Sequence, residues 1–291
     1  MFSRRLVLSH FLLGLLVSCS QERSISRNKL IVGIVGYGEA KKSIDQYARF
    51  KDHLAAQTNS VIELEPAFNE VKALEQIQRR IWSIVFAPPG LAAIAISQEQ
   101  YIPLFPIQGA ANLHSVFVVK KDSQLKNISD LEDQVIALGQ VGSATGYYLP
   151  IFDLYGLKLS EIVFAPTPKA ILEMVSAGTV VAGAVSKPEY DQYSNELGKQ
   201  KFRILQTSQN SVPPGMVILS PTIDRNEQEL IVTAMNSASP TIIAEAGYIT
   251  NVSLPNYKFI TSVIKRVRPI VTRIKQKPAP LYEENRGSDK I

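Results

Sequence analysis

Short apolar runs alternate with amphipathic stretches along most of the 291 residues. In the first third of the chain, three runs rich in β-branched residues have the character of buried strands, and they occupy residues 30–35, 61–65 and 83–87. After each run, apolar residues recur at intervals of three and four, which predicts helices at about 43–56, 69–82 and 89–97. This alternation predicts a parallel sheet with helices on its faces and right-handed crossovers.

The alternation is interrupted once and then resumes. Two strands, at residues 102–106 and 114–120, follow one another with no helix between them. A second series of strands and helices extends from 135 to 206, and a strand at 215–220 mirrors the one at 114–120. We therefore predict an α/β fold of two lobes, joined by two crossing strands that act as a hinge. Lobe 1 comprises residues 30–112 plus 217–277, and lobe 2 comprises residues 113–216.

The N-terminus has the layout of an export signal. Arg4 and Arg5 precede about twelve mainly apolar residues, a run too short to cross the ~30 Å of a bilayer core. The run ends in Leu-Val-Ser-Cys, where Cys19 is the single cysteine of the chain, and this ending resembles the lipobox of bacterial lipoproteins. We predict a signal peptide over residues 1–18, lipidation at Cys19 and a flexible tether over 19–29. An ordinary signal peptide with a coincidental cysteine is the alternative.

Composition narrows the chemistry. Apolar residues make up 45% of the chain and charged residues 20%, as in soluble globular proteins. One cysteine allows no intramolecular disulfide, and three histidines leave little for a zinc site. The sequence offers no plausible pair of nucleophile and base, and neither a Walker A loop nor a dinucleotide-binding GxGxxG loop is complete. We expect no enzyme activity, no cofactor and no metal.

The charge is mild overall but basic near the C-terminus. Removing residues 1–18 takes two arginines and no acid from the formal charge of +5, which leaves +3 and gives no argument for nucleic acid. Between Lys265 and Lys277 there are six basic residues and no acidic one. This stretch favours a solvated helix end, with an anionic lipid surface or an acidic partner as the alternative. Residues 278–291 are predicted to be a flexible tail.

The sharpest local signal for a binding site is Gly-Ser-Ala-Thr-Gly at residues 142–146, shortly after the predicted strand at 135–139. Ser143 and Thr145 can offer hydroxyls, while the backbone N–H groups of residues 143–146 can converge on an oxyanion at the start of a helix. The same residues also fit a plain N-cap, in which Ser143 satisfies the helix's own N–H groups. Local chemistry alone does not choose between these two interpretations.

Further candidates lie where other strands end or helices begin. They are Tyr37, Asn69, Glu70, Pro88 and Tyr147. The carboxyl ends of parallel strands meet at one edge of a sheet, where ligands bind in α/β folds. For Tyr37 and Pro88 this predicts a place on the opposite wall or the rim of a cleft between the lobes, whereas Asn69, Glu70 and Tyr147 are candidates for the wall or rim through the family resemblance described below. Turn formation alone is the alternative for Tyr37 and Pro88.

Several stretches resemble the substrate-binding proteins of phosphate, phosphite and phosphonate ABC importers, a branch of the type II periplasmic binding proteins. The resemblance covers roughly residues 30–237 and rests on VGIVGYG, FAPPG, HSVFVVKKDSQLKNISDLED, GSATGYYLP and AILEMVSAGTVVAGAV. It implies a two-lobed type II fold that closes on a small anion and delivers it to an ABC permease. It also implies that Ser143, Ala144, Thr145 and Gly146 hold the oxygens of that anion.

The chain departs from the family pattern at several site positions. Ala144 stands where the family has a hydroxyl, and Asn69 and Glu70 replace an aromatic residue. Each lost neutral hydrogen bond costs ~1 kcal/mol and each lost charge-assisted one costs more, so these changes weaken the expected phosphate site. Glu70 would repel a dianion if it faces the cleft, and Lys169 could offset that repulsion.

The sequence thus predicts a lipid-anchored, extracytoplasmic solute-binding protein of an ABC importer. We expect a small oxyanion of the phosphate or phosphonate type between the lobes. The partners would be that anion, an ABC permease of the inner membrane and the membrane itself through Cys19, with no nucleic acid. The alternative is a sensor or partner-binding module of the same fold, which has lost transport and keeps a degenerate anion site.

Overall fold

The computed structural model describes residues 28–36, 44–110 and 112–283. The predicted signal peptide, Cys19, Tyr37 and residues 284–291 lie outside these ranges. Within them, every helix is too short or too polar to cross a lipid bilayer.

The described chain forms two five-stranded sheets and a small two-stranded sheet. The strands of the first half are β1 (Lys29–Val35), β2 (Val61–Ala67), β3 (Ile84–Ala87), β4 (Ile102–Pro106), β5 (Leu113–Lys120) and β6 (Val135–Leu138). The strands of the second half are β7 (Lys158–Leu159), β8 (Glu161–Phe164), β9 (Ala182–Ser186), β10 (Phe202–Val212), β11 (Met216–Leu219) and β12 (Ala279–Pro280).

The two large sheets mix parallel and antiparallel pairs. The first has the strand order β2-β1-β3-β11-β4, in which β1 lies parallel to β2 and β3, and β11 returns antiparallel between β3 and β4. The second has the order β10-β5-β9-β6-β8, in which β6 lies parallel to β8 and β9 while β5 is antiparallel to β9 and β10. Parallel pairs require crossover connections, which the helices supply. The predicted α/β class is confirmed.

Helices connect most of the strands. They are α1 (Ala48–Thr58), α2 (Glu70–Gln78), α3 (Pro89–Gln98), α4 (Leu149–Asp153), α5 (Pro168–Ala177), α6 (Lys187–Leu197), α7 (Arg225–Asn236), α8 (Pro240–Ala246) and α9 (Lys258–Val267). A π-helical turn at Ala144–Tyr148 leads directly into α4. Short 3-10 turns lie at Ile128–Leu131, Lys199–Lys201, Arg268–Ile270 and Arg273–Lys275. Thr167 and Ser186 begin α5 and α6 by accepting a backbone N–H with their hydroxyls, as N-caps do.

Three groups of buried apolar residues form the core. One lies between the first sheet and helices α1 and α7, and another lies between the second sheet and helices α5 and α6. The largest group is continuous across both lobes, since it joins Leu91 of α3, Tyr147 of the π-helical turn and Ile260 of α9. The apolar core therefore extends from one lobe into the other.

The C-terminal segment crosses between the lobes. Helix α9 packs against α3 of the first lobe and against α4 of the second. Its buried apolar face consists of Ile260, Val263, Ile264 and Val267. β12 then pairs with β7, and Gly156 N donates to the Leu281 carbonyl oxygen at 3.0 Å. We call residues 257–281 the strap.

The strap differs from two sequence predictions, which placed residues up to 277 in lobe 1 and a flexible tail from 278. Ala279 and Leu281 are fully buried, and residues from 258 onward contact both lobes. The physical reason is a helical pattern that the basic run conceals. Apolar residues at 260, 263, 264, 267, 270 and 274 are all buried, while the basic residues between them face outward.

Candidate functional site

The turn at residues 142–146 joins β6 to the π-helical turn. Gly142 has φ +110°, a left-handed conformation that favours glycine. Ser143 Oγ accepts a hydrogen bond from Gly146 N at 3.0 Å, and the Ser143 carbonyl oxygen accepts one from Tyr148 N at 3.1 Å. Ser143 is therefore an N-cap. A hydroxyl that accepts one hydrogen bond can still donate another, so capping leaves the Ser143 proton available to a ligand.

The first turn of α3, from the other lobe, lies directly against this turn. A Cβ atom built on Gly90 would lie 2.1 Å from Gly142 O and 2.6 Å from Ala144 N. A Cβ atom built on Gly142 would lie 2.6 Å from the Glu70 Cβ and 2.9 Å from the Leu91 Cδ2. The two backbones are thus in contact. The turn, which the sequence predicted to face an open cleft, is covered by the opposite lobe.

A small cavity remains beside the turn, with a volume of about 10 Å³ that is room for about one water molecule. Both lobes contribute to its walls. The lining residues are Glu70, Gly139, Gln140, Ser143, Gly146, Ala165, Pro166, Thr167, Pro168, Ile171, Ala184, Val185 and Glu189. This lining includes two carboxylic acids and no lysine, arginine or histidine.

The cavity brings together only part of the predicted site. The predicted residues that line it are Glu70, Ser143 and Gly146. The predicted residues that the structure places outside its lining are Asn69, Pro88, Ala144, Thr145 and Tyr147. Asn69 caps α2, since its Oδ1 accepts a hydrogen bond from Lys72 N at 2.9 Å, and Pro88 immediately precedes α3. Tyr37 lies outside the described residues.

Thr145 and Tyr147 are core residues. Thr145 is buried, and its carbonyl oxygen accepts a hydrogen bond from Ser115 Oγ at 2.7 Å. Tyr147 is fully buried, with ring centroids 4.9 Å from Tyr148 and 5.8 Å from Phe164. Burial raises the pKa of the Tyr147 hydroxyl, which has no hydrogen-bond partner in the described chain. Tyr147 therefore packs the second lobe and is not the rim residue that the sequence predicted.

Glu70 and Gln140 make the cavity rich in hydrogen-bond acceptors. Glu70 is 3% exposed and is the first residue of α2, where the N–H groups of a helix start stabilise a negative charge. Gln140 Oε1 is buried without a hydrogen-bond partner among the residues that the structure describes. A ligand in this cavity would be held most readily through groups that donate hydrogen bonds.

Glu189 is a cavity residue that the sequence analysis missed. It is the third residue of α6 and forms a capping box with Ser186, whose backbone N donates to Glu189 Oε2 at 2.8 Å. The residue is partly exposed and is part of the cavity lining, and burial raises the pKa of its carboxyl group. The Ser-x-x-Glu spacing at 186–189 signals the start of a helix in the sequence, but it carries no sign that Glu189 lines a cavity.

Lys169 does not offset these acids. Its Nζ donates to Glu196 Oε2 at 3.0 Å, and the pair lies on the exposed side of α5 and α6. Glu196 raises the pKa of Lys169, and Lys169 is absent from the cavity lining. Among the described residues that line the cavity, the N–H groups at the starts of the π-helical turn and α2 carry partial positive charge.

Two α/β lobes with a cavity between them, and with helix N-termini at its edge, define a two-lobed solute-binding protein of the type II periplasmic class. A family model described as the periplasmic substrate-binding protein of phosphonate ABC transporters matches residues 32–251. The chain belongs to this family, whose members act outside the cytoplasm with ABC permeases. No curated protein shows significant similarity to the chain.

Solved structures share the fold at low sequence identity. A Xanthomonas citri protein bound to ATP has a TM-score of 0.70 at 18% identity, covering 84% of this chain and 99% of its own. The PhnD1 protein of Prochlorococcus marinus, in complex with methylphosphonate, has a TM-score of 0.66 at 16% identity with the same coverage. A Pseudomonas aeruginosa phosphonate-transporter binding protein has a TM-score of 0.60 at 12% identity, covering 76% of this chain and 80% of its own. These matches establish the fold, not the ligand.

Proposed function

We propose that the chain is a lipid-anchored extracytoplasmic solute-binding protein, which binds a small phosphate- or phosphonate-type oxyanion between its lobes for an ABC permease. The observation that carries this proposal is the helix start at Ser143–Gly146, which borders the cavity between the lobes. A helix start offers unpaired N–H groups to an anion, and the Ser143 hydroxyl keeps a proton to donate. The anchor at Cys19 is part of the proposal.

Ligand entry requires the lobes to separate. Gly90 covers Ala144 N, and Leu91 and Glu70 cover Gly142, so the cavity of about 10 Å³ is far smaller than a phosphonate. Withdrawal of α3 from the turn would expose Ala144 N, which the first turn of α3 covers, to the cleft. Hinge opening of this kind is the usual motion of two-lobed binding proteins.

The two carboxylic acids of the cavity restrict the charge of the ligand. Glu70 and Glu189 would repel a fully ionised phosphate, because like charges that share a site disfavour each other. An oxyanion that keeps one protonated oxygen can instead donate that proton to a carboxylate or to Gln140 Oε1. We therefore propose a singly charged oxyanion as the bound form.

Calorimetric titration tests this proposal. With phosphate, phosphite and methylphosphonate as probes, the variant Ser143→Ala, which removes the one hydroxyl of the turn that lines the cavity, should lose the binding of the best ligand by about 10-fold. The control is Ser239→Ala, which removes the same kind of N-cap hydroxyl from α8, outside the cavity lining. It should cost a similar ~1 kcal/mol of stability and leave binding unchanged. Equal affinities in all three proteins would refute the anion site.

A second candidate is a sensor or partner-binding module with a degenerate site. The contact between Gly90 and Gly142 favours it, because the opposite lobe covers this turn and the cavity beside it has room for about one water molecule. If no member of an oxyanion panel, sulfonates included, shifts the melting temperature of the protein, this second function replaces the first.

A further inference from the structure

Positive charge is concentrated in the C-terminal part of the chain. Residues 246–282 contain seven basic residues and no acidic residue. They are Lys258, Lys265, Arg266, Arg268, Arg273, Lys275 and Lys277. Without residues 1–18 the chain has a net charge of +3, so the remainder of the protein outside this segment carries a net charge of −4. Residues 246–282 are therefore strongly positive, whereas the remainder of the chain has a net negative charge.

The fold exposes most of this charge. Lys258, Lys265, Arg268 and Lys275 are exposed and form no ion pair with any residue that the structure describes. Two other strap residues are engaged: Lys277 pairs with Glu161 at 2.7 Å, and Arg266 lies 4.3 Å above the Tyr155 ring. The four exposed residues without an ion pair, Lys258, Lys265, Arg268 and Lys275, are thus available to an external anion.

An apolar groove lies beside two of these free lysines. It has a volume of about 530 Å³ between the strap and the first lobe. Its lining consists of Ile96, Pro103, Met216, Leu254, Pro255, Asn256, Tyr257, Lys258, Thr261, Ser262 and Lys265. Lys258 and Lys265 are seven residues apart and so lie on one side of α9. Leu254 and the neighbouring Val252 remain 46% and 51% exposed.

We propose that this basic groove, together with Arg268 and Lys275, docks the protein on an anionic phospholipid surface. Phosphodiester head groups complement the basic residues, and Leu254 and Val252 can contact the acyl region, as in peripheral membrane proteins. A membrane fits better than one small anion, because the free charges are distributed from residue 258 to residue 275, over a helix about 15 Å long and the turns after it. The groove lies largely beyond the family match, which ends at residue 251.

This surface goes beyond the proposed function and does not depend on the ligand between the lobes. Vesicle co-sedimentation tests it with the chain from residue 20 onward, which contains every described residue and no lipid. We expect little binding to phosphatidylcholine vesicles and clear binding when about 30 mol% phosphatidylglycerol is added. Raising the salt from about 0.05 M to about 0.5 M should release the protein, because salt screens exposed charges.

Two triple variants of equal net charge locate the surface. Lys258→Gln with Lys265→Gln and Arg268→Gln should weaken vesicle binding by about tenfold or more. The control, Lys51→Gln with Lys199→Gln and Lys201→Gln, removes three exposed charges elsewhere and should change binding less than about twofold. Equal losses in both variants, or binding that ignores phosphatidylglycerol, would overturn the proposal.

A lipid surface is distinguished from a small-anion site by competition. Free glycerol phosphate should not displace the protein from vesicles, whereas full displacement would mean a small-anion site and overturn the proposal. Circular dichroism melting should show both triple variants folded. Titration with methylphosphonate should be unchanged in the strap variant, so a failure of the membrane surface and a failure of the ligand site give different results.

Discussion

Gly142 and Gly156 have almost the same backbone conformation but different surroundings. Their φ angles are +110° and +105°, yet a Cβ on Gly156 would meet nothing within 4 Å, whereas one on Gly142 would meet Glu70 and Leu91. The pair therefore separates the cost of a left-handed alanine from the cost of pushing the lobes apart.

Gly142→Ala should lower the free energy of unfolding by about 1–3 kcal/mol more than Gly156→Ala, because only the first substitution also clashes across the lobe boundary. Urea unfolding of the two variants and the wild type measures the difference. Equal losses in the two variants would contradict the contact between the lobes at this turn.

The Glu189 carboxyl is the second feature at this scale with a measurable consequence. Burial raises its pKa, so the folded state binds a proton more tightly than the unfolded state does. At a pH above its pKa in the folded state, such a carboxyl lowers the free energy of unfolding. This loss shrinks as the pH falls through that pKa, and it is gone below the ordinary pKa that the carboxyl has in the unfolded state.

Glu189→Gln keeps an oxygen that accepts from Ser186 N and removes the charge. We expect it to raise the urea midpoint at pH 8 and to change the midpoint little at pH 4. The control Glu173→Gln, on the same lobe and outside the cavity lining, removes an exposed carboxylate in the same way and measures the part of the change that is unrelated to the cavity. If the Glu189→Gln variant loses stability at pH 8, the favourable interactions of the Glu189 carboxylate outweigh the free-energy cost of its burial, and this prediction is wrong.

Among the elements, the sequence predicts most of the strands and fewer of the contacts between them. The β-branched runs identify β1, β3, β5 and β6 because buried strands are continuous in apolar residues. β7 and β12 are two residues each, too short for any periodicity to show. The packing of the strap on both lobes was not predicted, because its basic residues suggested a solvated end. Its apolar residues nevertheless recur at helical spacing.

The same contrast applies to the site. Ser143 was identifiable because an N-cap is local chemistry, readable from a few neighbouring residues. The contact of Gly90 with Gly142 could not be identified from the sequence, because it joins two lobes whose docking depends on the packing of many side chains. Glu189 was missed for the same reason, since its capping role is local and its position in the cavity is not.

Leu281→Ala tests the ordered end of the strap. Leu281 is fully buried and its backbone pairs with Gly156 and Leu157, so we expect a loss of about 2–5 kcal/mol in the free energy of unfolding. Lys277→Ala, which breaks a surface ion pair with Glu161, should cost at most about 1 kcal/mol. If both changes were neutral in urea unfolding, the segment would be the flexible tail that its composition suggests.

For the whole molecule, function depends on how two lobes with a shared apolar core can separate. The strap packs on α3 and α4, which lie on opposite sides of the cleft, and adds a connection beyond the crossing strands. Opening therefore has to change the packing of α9 on at least one of these two helices. Two-lobed proteins open and close by hinge and shear motions when contacts with the ligand compensate for the apolar surface that opening exposes.

The interlobe distance tests the central claim most directly. The chain from residue 20 contains no cysteine, so Gln78→Cys and Gln192→Cys, both exposed, place one spin label on each lobe for pulsed electron paramagnetic resonance. We predict a longer distance in part of the ligand-free population, a shift to the shorter distance with methylphosphonate, and a smaller shift at the same methylphosphonate concentration when Ser143→Ala is added. A single short distance that phosphate, phosphite and methylphosphonate all leave unchanged would contradict the account.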